Sequence, residues 1–303
     1  MNCLIILLVL ILLLNEISLS VSFSPISIND INNNKKSLVN VNKLFSLPTT
    51  IYQDVGVSTF GLIASYGWLK IWISLANNGK IDPKLSRKII HCGSAPLFMC
   101  LWPIYSNDPS AKVIATIVPL LQTIRLSIAG LNKEKKIDPN TNKDIEKSSD
   151  TALVNAISRS GDMKEALGGP LIYAIILTIC TFFYFRESPI GILAVTQMAA
   201  GDGLADIFGR RWGIIKWPFS DRKSYVGSLA FVLGAFTISF FLLFLYNTTG
   251  VSNFNILTGS NLQYLLLISI LCATIELIPI GDDNVTVPLA AGILTYLFYY
   301  DQL

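Results

Sequence analysis

Residues 190–246 read IGILAVTQMAAGDGLADIFGRRWGIIKWPFSDRKSYVGSLAFVLGAFTISFFLLFLY. An apolar run over 190–205 already holds Asp202, and a charged window with Asp206, Arg210, Arg211, Lys216, Asp221, Arg222 and Lys223 follows it. A second apolar run then covers 225–246. About 20 apolar residues match the hydrocarbon thickness of a bilayer, so the pattern reads as helix, interfacial loop, helix. Similar stretches lie at 54–76, 92–107, 111–131, 168–185, 261–280 and 285–300. With 190–205 and 225–246 they make eight; the second, fifth and eighth are short, which predicts tilted, re-entrant or marginal segments. The expected fold is an all-α polytopic membrane protein of about six to eight transmembrane helices, with its polar loops grouped on one face.

Composition supports that expectation and narrows the function. The chain is 52% hydrophobic and 14% charged, against about 25% charged in soluble domains. A net charge of +3 gives no footing for nucleic-acid binding. His91 is the sole histidine, which excludes a multi-histidine metal site and any mechanism that uses two imidazoles. The five cysteines are Cys3, Cys92, Cys100, Cys180 and Cys272. They stand apart in apolar surroundings with no CxxC pair, and read as small apolar residues. Nothing in the sequence speaks to oligomeric state. If all eight stretches cross, sixteen Lys and Arg fall in the loops of one side and Arg186 alone in those of the other. That is the asymmetry of the positive-inside rule.

The N-terminus reads as an address. CLIILLVLILLL, 3–14, has the length of a signal-peptide core, and SLSVS, 18–22, offers small residues for cleavage before Phe23. Residues 23–50 are rich in Ser, Asn and Lys, with Asp30 the one acid, and cannot build a core. A signal peptide over 1–22 and a transit-like segment over 23–50 resemble the bipartite leader of plastid proteins in algae with complex plastids. A signal anchor into the endoplasmic reticulum is the alternative. Residues 51–303 then form the membrane-embedded domain.

The charged windows carry the chemistry. Asp202, Asp206 and Arg210 are spaced i, i+4, i+8 and share a helical face. Carboxylates beside bases and glycines suit a magnesium–polyphosphate ligand, the acids holding a hard cation and the bases cancelling phosphate charge. GDDNVTVP, 281–288, adds Asp282 and Asp283, and Glu276 lies inside the apolar run before them, where a buried acid needs a partner. RKIIHCGSAPLFMCLWPIYS, 87–106, places His91 one turn after Arg87. The polar insert 132–165 balances seven bases with seven acids and ends in SRSGDMKEALGGP, with Arg159, Asp162, Lys164 and Glu165. Neither a GxxxxGK[ST] P-loop nor a GxGxxG after a strand occurs.

Four segments together resemble the phytol kinase and farnesol kinase family of polyprenol kinases: RKIIHCGSAPLFMCLWPIYS, SRSGDMKEALGGPLIY, GDGLADIFGRRWGIIKWPFSDRKSYVGS and ELIPIGDDNVTVPL. The third is also similar, more loosely, to the CTP-handling segment of dolichol kinases and CDP-diacylglycerol synthases, through Asp202 or Asp206, Gly209, Arg210, Gly213, Lys223, Ser224 and Gly227. The resemblance implies a membrane kinase that transfers the γ-phosphoryl group of CTP to an isoprenoid alcohol, with Mg2+. Phytol is the expected acceptor, salvaged towards tocopherol in a plastid membrane. Farnesol, geranylgeraniol or dolichol is an alternative acceptor, and a phosphatidate cytidylyltransferase or a transporter an alternative activity. On this reading Asp202 and Asp206 hold magnesium with Asp282 or Asp283, and one carboxylate takes the alcohol proton. Arg210, Lys216, Arg222 and Lys223 clamp phosphate, and Arg159, Asp162 and His91 complete the site. The oily substrate enters from the bilayer, while the nucleoside triphosphate stays at the face.

Overall fold

Each apolar stretch forms a helix, since inside a bilayer every backbone N–H and C=O needs a partner in its own segment. The computed structural model describes residues 49–131, 167–279 and 281–302. The leader, the insert after Leu131, Arg159, Asp162, Lys164 and Glu165 lie outside the described residues. The helices are α1 (Thr49–Asn77), α2 (Pro83–Met99), α3 (Ala111–Leu131), α4 (Gly169–Phe183), α5 (Pro189–Thr196), α6 (Asp202–Trp212), α7 (Tyr225–Thr248), α8 (Gly259–Leu277) and α9 (Asp283–Tyr299). Among the described residues no strand occurs. Four helical segments are long and apolar enough to cross a membrane: Ala111–Leu131, Pro189–Trp212, Tyr225–Thr248 and Gly259–Leu277. Gly169–Phe183 is apolar but shorter. The protein is an all-α membrane protein.

The fifth stretch departs from its expected bounds. It does not end near 205 in a loop: α5 passes through a π-helical turn, Gln197–Gly201, straight into α6. Hydropathy falls after Ala205, but α6 stays amphipathic, with Gly203 and Ala205 buried and Arg210 and Arg211 exposed. The continuous helix is the centre of the bundle, 72% buried over its most apolar window against 28% for α7. Its neighbours are α2, α4, α7, α8 and α9. Helices α3 and α4 pack together, and α1 lies against α2 and α3.

The two ends of the bundle differ. One end joins α2 to α3 through residues 100–110 and α4 to α5 through residues 184–188. There the buried Arg186 donates from Nη1 to the carbonyls of Trp102 (2.9 Å) and Tyr105 (2.8 Å), and from Nη2 to Ser106 O (2.6 Å) and Asn107 Oδ1 (2.9 Å). Asp54, fully buried, accepts from Ser106 N and Oγ. Three carbonyls of that turn are thus met by a charged donor, and that of Ile104 by Gln53 Nε2 at 2.7 Å. The opposite end gathers the starts of α2, α4, α7 and α9 with the end of α8.

Candidate active site

Two lysines organise the charged end. Lys88 of α2 donates to Asp202 Oδ2 at 3.0 Å and lies 3.7 Å from Asp206 Oδ2. His91, one turn on, puts Nε2 at 3.3 Å from the same Asp202 oxygen. The π turn delivers Asp202 here: it sets α6 so that its first residue faces α2 and the start of α9. Asp206, one turn on, is nearly as enclosed as Asp202, and its Oδ1 accepts from Arg210 Nε at 2.7 Å.

Lys223, from the loop before α7, bridges the second set. Its Nζ donates to Glu276 of α8 and, at 3.2 Å, to Asp283 Oδ2 at the start of α9. Burial works against the charge of Lys223, yet the Glu276 and Asp283 carboxylates outweigh it and hold its pKa above the usual lysine value. Burial also lifts the Asp283 carboxyl above the ordinary aspartate range, opposed by Lys223 and reinforced by Asp202. Asp202, Glu276 and Asp283 each offer an oxygen within 4.8 Å of the others. Three carboxylate oxygens at that spacing suit a hard divalent cation.

The expected site residues separate into five groups. Asp202, Asp283, His91 and Lys223 converge. Asp206 and Arg210 stand beside them as an i, i+4 pair. Asp282 is the N-cap of α9, its Oδ1 accepting from Asn284 N (2.9 Å) and Nδ2 (2.8 Å). Ser224 caps α7 in the same manner, its Oγ accepting from Gly227 N at 3.1 Å. Gly209, Gly213 and Gly227 line the seam between α6 and α7: a Cβ on Gly213 would strike Gly209 O and Ser224 Oγ, and one on Gly209 would lie 3.4 Å from Gly227 Cα. Lys216 and Arg222 are exposed on the α6–α7 loop. Lys88 and Glu276 were not among the expected site residues. Lys88 precedes His91 by three residues and so shares its face, while Glu276 is the acid inside an apolar run.

Beside these groups opens a cavity of about 670 Å³, with Lys88, His91, Asp202 and Asp283 among the residues at its polar end. Its remaining wall is largely apolar, and includes Leu69, Phe98, Val118, Leu126 and Leu177. Its volume falls in the range of about 300–1,000 Å³ found for small-molecule sites.

A helical membrane bundle with an acid–base cluster over a half-apolar cavity defines a protein that acts on a polar-headed, oily-tailed ligand. No family model and no solved structure matches the chain. Curated proteins do. The chain is 37% identical over 250 residues to "Probable phytol kinase 1, chloroplastic" of Oryza sativa subsp. japonica, covering 82% of this chain and 74% of that one. It is 36% identical over 253 residues to "Phytol kinase 1, chloroplastic" of Arabidopsis thaliana, covering 82% and 78%. It is 31% identical over 248 residues to "Farnesol kinase, chloroplastic" of the same plant, covering 80% and 75%. The chain belongs to the phytol kinase and farnesol kinase family, and is a phosphotransferase acting on an alcohol.

Proposed function

We propose that the chain phosphorylates phytol to phytyl phosphate at the γ-phosphoryl group of CTP, with magnesium, as a multi-pass protein of a plastid membrane. The observation that carries this reading is the meeting of two lysine-bridged carboxylate groups at the polar end of a mostly apolar cavity. The names of the relatives support the acceptor and the plastid. The similarity of the Asp202–Gly227 segment to CTP-using enzymes supports the donor.

In the reaction the alcohol oxygen forms a bond to the γ-phosphorus, the bond from that phosphorus to the bridging oxygen breaks, and CDP leaves. The hydroxyl proton goes to a base. We assign that role to one carboxylate of the cluster; Asp202 lines the cavity, with His91 and Lys88 against its oxygen. Asp202, Glu276 and Asp283 would hold magnesium, which when bound cancels charge on the phosphoryl oxygens. Lys223 offers an ammonium beside those carboxylates. Arg210, Lys216 and Arg222 put further positive charge on the same end, where the triphosphate approaches from water. The residues' task is positioning and charge cancellation, the main sources of catalysis in phosphoryl transfer.

Purified protein in lipid nanodiscs, given γ-labelled CTP, magnesium and phytol, is expected to yield labelled phytyl phosphate and CDP. Release of pyrophosphate would point instead to the cytidylyltransferase alternative. A preference for farnesol over phytol, suggested by the farnesol kinase relative, would move the acceptor and leave the chemistry.

A further inference from the structure

The cavity changes character along its length. α2 and α4 both run away from its polar end. His91 is followed on the cavity wall by Ser94 and Phe98, and Gly169 by Tyr173 and Leu177. Seven residues of helix, as from His91 to Phe98, cover about 10 Å, roughly half of an extended phytyl chain, so a chain of that length fills the cavity of about 670 Å³ folded back and not straight. α3 runs the opposite way and brings Val118 to the far end. There its lining is part of the packed core. Phe98, Val118 and Leu177 are each less than a tenth exposed and belong to the main apolar core. Phe98 stands edge-on to the fully buried Trp102, with ring centroids 6.1 Å apart.

We propose that this cavity seats the isoprenoid chain of the acceptor, with the hydroxyl at Asp202 and His91, and that Phe98, Val118 and Leu177 form a floor that sets the chain length accepted. The inference rests on the kinase reading above and adds the place and the measuring device. A triphosphate does not suit this space, because the Lys and Arg of its lining, Arg87 and Lys88, both stand at the polar end. An isoprenoid chain does, for a reason particular to membranes. Such a chain is already in an apolar solvent, so an apolar wall adds little driving force by removing it from water. The wall adds shape: a chain that reaches the floor is limited by packed side chains that do not yield cheaply. Length is therefore discriminated by collision at Phe98, Val118 and Leu177, and the position of the hydroxyl by the polar end.

Val118→Phe and Leu177→Trp raise the floor, and Phe98→Ala lowers it. Initial rates with geraniol, farnesol, geranylgeraniol and phytol are measured in nanodiscs at saturating CTP. The two filling variants are expected to raise KM for phytol at least about tenfold relative to geraniol, with KM for CTP unchanged. Phe98→Ala is expected to shift preference towards the longer alcohols. Equal losses for short and long alcohols overturn the inference, as does an unchanged length profile. A second measurement needs no variant. A prenol carrying a terminal diazirine, photolysed in the unmodified protein, is expected to label peptides holding Phe98, Val118 or Leu177, and labelling confined to other segments overturns the proposal. If the unmodified protein phosphorylates no alcohol, the kinase reading itself fails. If it does phosphorylate alcohols and the length or labelling results go the other way, only the cavity assignment fails.

Discussion

Glu276→Gln separates the proposed metal role of the carboxylate cluster from its role in holding the bundle together. The Glu276 side chain is 4% exposed and is bound to Lys223. The substitution keeps the shape and removes the charge. Breaking a buried ion pair so that its partner is orphaned costs about 3–5 kcal/mol. Here the partner is not orphaned: Lys223 keeps Asp283 at 3.2 Å and is itself 29% exposed, and the amide oxygen still accepts from it. The loss in stability is therefore nearer the lower end for one hydrogen bond to a charged group, about 1.5 kcal/mol. Catalysis loses more. One of three oxygens within 4.8 Å no longer carries charge, and removing one preorganised electrostatic element lowers kcat by about 10²–10³, or roughly 2.7–4 kcal/mol. The assay is the initial rate of prenyl phosphate formation against magnesium concentration, with thermal unfolding in detergent measured alongside. A well-folded variant that keeps the unmodified protein's rate at limiting magnesium would refute the assignment of Glu276 to the metal.

Further outcomes follow from the same geometry. Asp202→Asn is expected to abolish prenol phosphorylation. Asp206→Asn leaves a residual rate about 10–100-fold down, because Asp206 faces Arg210 and stands outside the three-carboxylate cluster; equal rates for the two would overturn that ranking. Gly203→Ala places a methyl group against Cys92 Cβ, so it is expected to lower the unfolding temperature, and Cys92→Gly in the same chain to restore it. Arg186→Met strips four acceptors of their buried donor and is expected to cost about 3–5 kcal/mol, read as a lower unfolding midpoint with residual activity per folded molecule unchanged. Single cysteines at Ile215 and Asp282 are expected to react with an impermeant maleimide from the same side of the membrane.

Hydropathy alone points to eight helical regions, since a helix in lipid announces itself by length and composition, but it sets the second at 92–107 where α2 runs from Pro83 to Met99. It misjudges where the fifth one ends. A hydropathy window drops when charges enter, whereas the helix of residues 202–212 continues on a one-sided pattern that averaging conceals. The site is legible in part. Asp202, Asp206 and Arg210 share a face by spacing, and the Asp206–Arg210 pair is the i, i+4 contact that spacing gives; only tertiary packing shows that Asp202 meets Asp283. Glu276 could be read as an acid in need of a partner; that the partner is Lys223, 53 residues earlier, is a fact of helix packing that no local spacing encodes. Asp282 and Ser224 carry local signatures of their own, as each is a side-chain cap two or three residues before the N–H it satisfies.

The π turn at Gln197–Gly201 fixes which face the reactive half of the helix presents. Such a turn accommodates one residue more than the α-helix on either side of it, and one residue of α-helix corresponds to about 100° of rotation. Deleting a single residue between 197 and 201 would let the helix close up as regular α. The segment Pro189–Thr196 would still fill its place in the core. Asp202, Asp206 and Arg210 would then keep their facing, because the wide turn absorbs its extra residue without advancing the phase; the same residues wound as regular α would instead swing all three by about a quarter of a turn, away from Lys88 and Asp283. The insertion that widens this turn thus acts as a phase setting between a half of the helix that packs and a half that reacts. A chain one residue shorter here, with a regular helix, presents the same charged face as this chain with its π turn.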